Sequence, residues 1–275
     1  MSTNKAFWRV WLEGSKSHKE TKDAEAVVDP LEEGLADLTW SDEESAKKVK
    51  TEETFGEEIG NATTHGVMAL FMLCILPFAS VHAYLQARSG NAILDSVAVS
   101  IFCIGTFLMF LMSTIDHTMM HGTKQKEVFN RLDHIMIFYA IAGAYTPICL
   151  TIIGGKWGIG LCVAQWIVVI AGTLLKAIAF SKSLISYIFS ALLYLLMGWM
   201  IVLCFPILYE QANPVTFWLI LAGGICYTTS VILFFMRFKF AHMIFHLLVD
   251  FGAICHVIAL CFFMYAGRKN IIKEK

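Results

Sequence analysis

The amino-acid sequence predicts an all-α membrane protein, a seven-transmembrane helix bundle with its N-terminus in the cytosol and its C-terminus on the opposite side. Composition is the first reason. Hydrophobic residues make up 57% of the 275 residues and charged residues 16%, where soluble domains run near ~45–50% and ~25%. The second reason is the uneven placement of charge. Residues 1–61 carry 15 of the 22 acidic and 8 of the 21 basic side chains, so a polar leader precedes an almost wholly apolar chain. The third is a succession of seven apolar stretches, each near the ~20 residues that cross a bilayer as helix. A net charge of −1 argues against nucleic acid as a partner.

Residues 1–61 read as a polar, largely disordered cytosolic leader. Phe7, Val10, Trp11 and Leu12 form at most one amphipathic turn against a membrane surface, and a disordered tail with a few apolar side chains is the preferred reading. The acidic stretch from Asp37 to Glu58 is a solvated face or linker, and the leader is the place where a protein partner would dock. The first 30 residues mix charges and lack an apolar run, so no cleavable signal peptide is expected. The membrane domain covers 62–266, with spans at 64–86, 95–119, 134–154, 158–180, 184–207, 215–236 and 241–266. Polar breaks at 87–91, 121–133, 155–157, 181–183, 210–214 and 237–239 separate them. Little more than Gly155 and Lys156 divides the third span from the fourth, so a six-span chain is the alternative. Residues 267–275 form a short basic tail.

Orientation follows from basic residues in short loops. With the N-terminus inside, cytosolic loops carry Lys124, Lys126, Arg131, Lys176, Lys182, Arg237 and Lys239, and the opposite loops only Arg88 and Lys156. Lys47, Lys48 and Lys50 add to this assignment, whereas Arg268, Lys269, Lys273 and Lys275 vote against it. The eight cysteines lie singly in apolar runs with no C-x-x-C pair, and read as small buried hydrophobes.

Polar residues inside apolar sequence need a physical reason. His242 and His246 are four apart and share one helix face. Ser113 and His117 repeat that spacing, and Asp133 opens the following segment. With seven alternating spans, the end of span two and the starts of spans three and seven lie at one membrane face. Glu57, Glu58, Asn61 and His65, entering span one, fall on that face too. Neutral imidazole is a good zinc ligand, and three protein ligands plus a water make the usual catalytic arrangement. An i,i+4 histidine pair can chelate one ion from a single helix, with His117 as the third ligand across the interface. Asp133 would then hold the water and act as general base, and Ser113 would orient the water or a substrate carbonyl.

A lone membrane histidine is more often a packing residue, and His65, His82 and His256 are read that way. His256 lies about ten residues deeper, ~15 Å along the axis. His121, four residues from His117, is the rival ligand, while His134 points about 100° away from Asp133. Asp116 and Asp250 need partners: Asp250 as an acceptor for a histidine N–H or as the cap of a polar cavity. Gly143-Ala144 before Tyr145-Thr146-Pro147 favours close helix approach followed by a kink. The chain has no Gly-rich phosphate loop and no G-x-S-x-G elbow.

Several stretches carry a resemblance. Glu57-Glu58-Ile59-Gly60-Asn61-Ala62-Thr63-Thr64-His65-Gly66, Ser113-Thr114-Ile115-Asp116-His117, Arg131-Leu132-Asp133-His134 and His242-Met243-Ile244-Phe245-His246 occur in order. Ile141 to Pro147, Lys176, Tyr194 and Met197-Gly198-Trp199 lie between them. Over residues 55–266 the chain resembles the hemolysin III family of the progestin and adipoQ receptor superfamily. The resemblance implies an inverted seven-helix bundle, zinc held near the cytosolic face by His117, His242 and His246, and Asp133 and Ser113 beside the water. It also implies hydrolysis of membrane lipid amides such as ceramide, with cytolysis as the activity linked to bacterial members. Asp116 and Asp250 depart from the uncharged residues expected there.

Three function classes follow: a zinc-dependent hydrolase of membrane lipid amides or esters, a receptor-like or scaffold protein with a structural zinc, and a hemolysin-like pore former. The converging histidines favour the first, the acidic leader motivates the second, and no ring of charges marks a conduction path for the third.

Overall fold

The computed structural model describes residues 54–178, 184–236 and 238–265. Residues 1–53 of the leader with its Phe7–Leu12 turn, the break at 181–183 and the basic tail lie outside the described residues, whereas residues 55–61, read as part of a disordered leader, are helical. Among those described there is no strand, and seven helices are long and apolar enough to cross a membrane. They are α1 (Phe55–Gln86), α2 (Ala92–Thr118), α3 (Lys124–Ile153), α4 (Gly155–Ile178), α5 (Ile185–Gln211), α6 (Pro214–Phe234) and α7 (Ala241–Tyr265). This is an integral multi-pass membrane protein.

Two helices start well before the apolar sequence does. Thr54 caps α1 through a capping box: its hydroxyl accepts from the Glu57 N–H at 3.4 Å, and the Glu57 carboxylate accepts from the Thr54 N–H at 2.9 Å. Thr123 caps α3 by accepting from the Lys126 N–H at 3.2 Å. Those caps satisfy orphan donors, so helix forms through residues that hydropathy alone assigns to loops. The stretch 121–133 is therefore mostly the first turns of α3, and Asp133 sits more than two turns inside the helix.

The third and fourth spans are separate. After Pro147 the helix widens into a π turn over Ile148–Ile153, and Gly154 and Gly155 then take φ of 62° and 55°. Two successive residues in that region favour glycine and break the helix, so the six-span chain is ruled out.

Neighbours in sequence pack as neighbours in space: α1 on α2, α2 on α3, α3 on α4, and α6 on α7, with α7 returning against α1. Small residues set the closest approaches. A Cβ on Gly105 of α2 would lie 2.9 Å from the Tyr139 carbonyl of α3, and one on Gly143 would lie 3.1 Å from the Ile101 carbonyl. The core runs through Met72, Phe102, Phe110, Ile152, Leu208 and Leu260. Cys103, Cys149, Cys162, Cys204 and Cys261 are buried as small hydrophobes, and no disulfide forms among the described residues.

One end of the bundle is stapled by polar contacts. Asp95 is fully buried and accepts from the Ser89 N–H at 2.8 Å and the Thr151 hydroxyl at 2.9 Å. The Arg88 guanidinium donates to the carbonyls of Met264 and Gln211. The α1–α2 turn thereby holds the ends of α3, α5 and α7, at the face opposite the histidines.

Close α2–α3 contact predicts that Gly105→Leu costs about 1–3 kcal/mol by overpacking. Gly160→Leu is the control, because nothing lies within 4 Å of its Cβ position. Thermal unfolding in detergent should show a lowered midpoint for the first variant and an unchanged one for the second.

Candidate metal centre

Three helix ends meet at the face opposite the Arg88 staple. The last turns of α2 carry Ser113, Asp116 and His117, the first turns of α7 carry His242 and His246, and α1 brings Glu58, Asn61 and His65 alongside. Helix α3 adds Lys126, Asn130 and Asp133. The i,i+4 spacing stacks His242 above His246 on one face of α7, with ring centroids 4.5 Å apart. His117 lies 5.2 Å from His242 and 5.0 Å from His246 by the same measure.

One ring nitrogen from each of these three histidines falls within 4.8 Å of the others. Among the described residues, this is the one group of histidine, cysteine or carboxylate side chains that converges so closely. His117 and His246 are buried and His242 is half-buried. Imidazole nitrogens drawn together in this way could hold a metal ion. The donor set therefore fits a metal ion, and its three members are those singled out by spacing in the sequence.

Other histidines have separate occupations. His65 stacks on His246 with centroids 3.6 Å apart and places Nε2 3.7 Å from the Asp250 carboxylate. Asp250 thus lies beside His65, at a distance longer than a hydrogen bond. His121, the rival ligand in sequence, instead pairs its Nε2 with Glu58 at 2.7 Å. His256 sits against the Ile220 carbonyl at 3.3 Å and His82 against the Cys261 carbonyl at 2.9 Å. The Nδ1–H of His134 donates to the Asn130 carbonyl at 2.8 Å.

A buried ionic network backs the centre, and hydropathy gave little hint of it. Glu58 pairs with His117 through Oε2 and with His121 and Lys126 through Oε1, the last at 3.4 Å. Lys126 also lies 3.5 Å from the Asp116 carboxylate and donates to the Asp116 carbonyl at 2.7 Å. Asn130 donates to the same carboxylate at 3.1 Å. In sequence Lys126 counts only toward orientation. The usable signal was Asp116 itself, a charge in apolar helix that needed a cation nearby.

From the histidines a cavity of about 220 Å³ runs into the bundle, larger than the ~150 Å³ that accommodates benzene in an engineered apolar core. Ser113, Asp133, His117, His242 and His246 line it at one end, and Leu208 and Phe217 lie toward the other. Its walls are overwhelmingly apolar. The Ser113 hydroxyl is buried and has no hydrogen-bond partner among the described residues, which leaves it available to something entering the cavity.

Comparison with known proteins places this architecture. The family profile described as "Haemolysin-III related" matches residues 53–257. Hemolysin-3 of Bacillus cereus is 35% identical over 209 residues, covering 76% of this chain and 92% of that protein. The Hemolysin-3 homolog of Bacillus subtilis (strain 168) is 34% identical over 211 residues, covering 76% and 95%. A more distant relative is the monocyte to macrophage differentiation factor of Rattus norvegicus, 24% identical over 230 residues and covering 79% and 89%. That relative supports the wider progestin and adipoQ receptor superfamily. With three-quarters of its length matched, including every helix that carries a histidine of the cluster, this chain belongs to the haemolysin-III-related family.

Proposed function

We propose that the protein is a zinc-dependent hydrolase of membrane lipid amides or esters, of the ceramidase kind. One observation carries the reading: three converging imidazoles open on an apolar cavity that Asp133 and Ser113 also line. A site of that form combines a place for an acyl chain with polar groups at the end where its carbonyl would rest.

His117, His242 and His246 hold the ion. Zinc, when bound, supplies a Lewis acid that polarises a carbonyl and makes water a nucleophile near neutral pH. The apolar walls bind the lipid tail and exclude bulk water. Asp133 takes the proton from the attacking water and returns it to the departing amine nitrogen or alkoxide, so that the C–N or C–O bond breaks to a fatty acid and the free amine or alcohol. Ser113, with its hydroxyl not otherwise engaged, donates to the carbonyl oxygen as charge develops there.

The purified protein should contain one zinc per chain by elemental analysis and should turn over ceramide. His242→Ala is expected to lose the metal. Asp133→Asn is expected to keep it while turnover falls about 10²–10⁴-fold, and Ser113→Ala to fall about 10²–10³-fold. Turnover that survives complete metal removal overturns the reading. A lytic activity of the kind named in the Bacillus relatives would instead release dye from liposomes with His242→Ala as well as with the unaltered protein.

The cavity wall provides an independent check. Ala191 lines it, and Ala191→Trp adds bulk where the tail would lie. Zinc content should be unchanged while KM for long-chain substrates rises and activity on short-chain ones persists.

A further inference from the structure

We propose that helix α1, which contributes no metal ligand, is the outer shell of the centre: Glu58 and the Asn61 main-chain carbonyl orient two of the three ligating imidazoles. The inference rests on the metal reading above and concerns how this chain holds that ion.

A ring nitrogen that ligates a metal leaves the other N–H to be satisfied, and its acceptor sets both tautomer and ring orientation. Glu58 is buried, and its Oε2 accepts from His117 Nδ1. The Asn61 carbonyl lies 3.3 Å from His246 Nδ1. A carbonyl oxygen only accepts, so Nδ1 of His246 carries the proton and Nε2 becomes the ligating atom. Glu58 assigns His117 the same way. The Thr64 hydroxyl, donating to that Asn61 carbonyl at 2.9 Å, lies 3.5 Å from His246 Nδ1 and closes the group.

Glu58 and Asn61 are three residues apart and share one face of α1. The residues beside them bring α7 to that face. Glu57 Oε1 accepts from the Phe240 N–H at 2.8 Å, where Phe240 turns into α7 with φ of 64°. Gly60 admits Met243 so closely that a Cβ there would lie 2.7 Å from its sulfur. One short run of α1 therefore seats the start of α7 and aims a ligand on α2 and another on α7. The other partners of Glu58, His121 and Lys126, meet Oε1, whereas His117 meets Oε2.

The test is zinc affinity of the full-length protein in detergent, measured by chelator competition, with the visible spectrum of the Co²⁺-loaded form as a second readout. Glu58→Gln and Glu58→Asp are each expected to weaken zinc about 10–100-fold and to shift the Co²⁺ bands; Glu58→Gln, which strands the Lys126 charge, should also lower the metal-free unfolding midpoint, whereas Glu58→Asp should lower it less. Glu58→Asp retains the charge beside Lys126 while withdrawing it from His117, so it reports on the contact even if the amide variant folds poorly. His121→Gln should leave affinity unchanged. Unaltered affinity in both Glu58 variants overturns the proposal while the metal centre stands, as does an equal loss in His121→Gln. Absence of zinc from the unaltered protein overturns the centre itself, and the proposal with it.

Discussion

Charged and hydrogen-bonding side chains placed inside a lipid-facing bundle must find partners within the protein, because the surrounding medium offers none. That requirement organises both ends of this molecule. At one end Lys126 lies between the carboxylates of Glu58 and Asp116, with Asn130 completing the set. Three helices, α1, α2 and α3, are committed to a single arrangement by those contacts. Removing one member of such a group strands its partners in low dielectric, so the network specifies register as well as contributing stability.

The two ends use polar groups for different purposes. Asp95 accepts from Ser89 and Thr151 while Arg88 donates to two main-chain carbonyls, forming a fastening between helix ends. At the histidine end some capacity remains unspent. The Ser113 hydroxyl has no hydrogen-bond partner among the described residues, and one nitrogen from each of the three imidazoles converges on the others. Groups held together against their mutual interest, beside an open apolar cavity, are the mark of a site that accepts something from outside. The rigid end supplies the fixed frame against which the other can be organised.

Close backbone approach makes this possible. Gly105 and Gly143 let α2 and α3 pack at main-chain distance, and Gly60 makes room on α1 for the Met243 side chain of α7. Without a hydrophobic driving force between helices in lipid, such approaches and their dispersion contacts carry much of the association. They also bring short side chains such as Ser113 and Asp133 to the same cavity as the longer imidazoles.

Much of the architecture was legible in one dimension. Seven apolar runs near bilayer length give seven spans, and alternation of direction then sends the end of α2 and the start of α7 to one face, which is why His117, His242 and His246 could be grouped from spacing. What hydropathy could not reveal was where helices begin, because Thr54 and Thr123 extend α1 and α3 by hydrogen bonding rather than by burial. Spacing also left His121, four residues beyond His117, as a rival to it. Tertiary packing decided that, drawing His121 to Glu58 and His117 toward α7. It likewise brought Asp250 beside His65 and paired Asp116 with Lys126. Periodicity and length are local properties and survive in sequence, whereas the partner of a buried charge is set by which helix faces pack together.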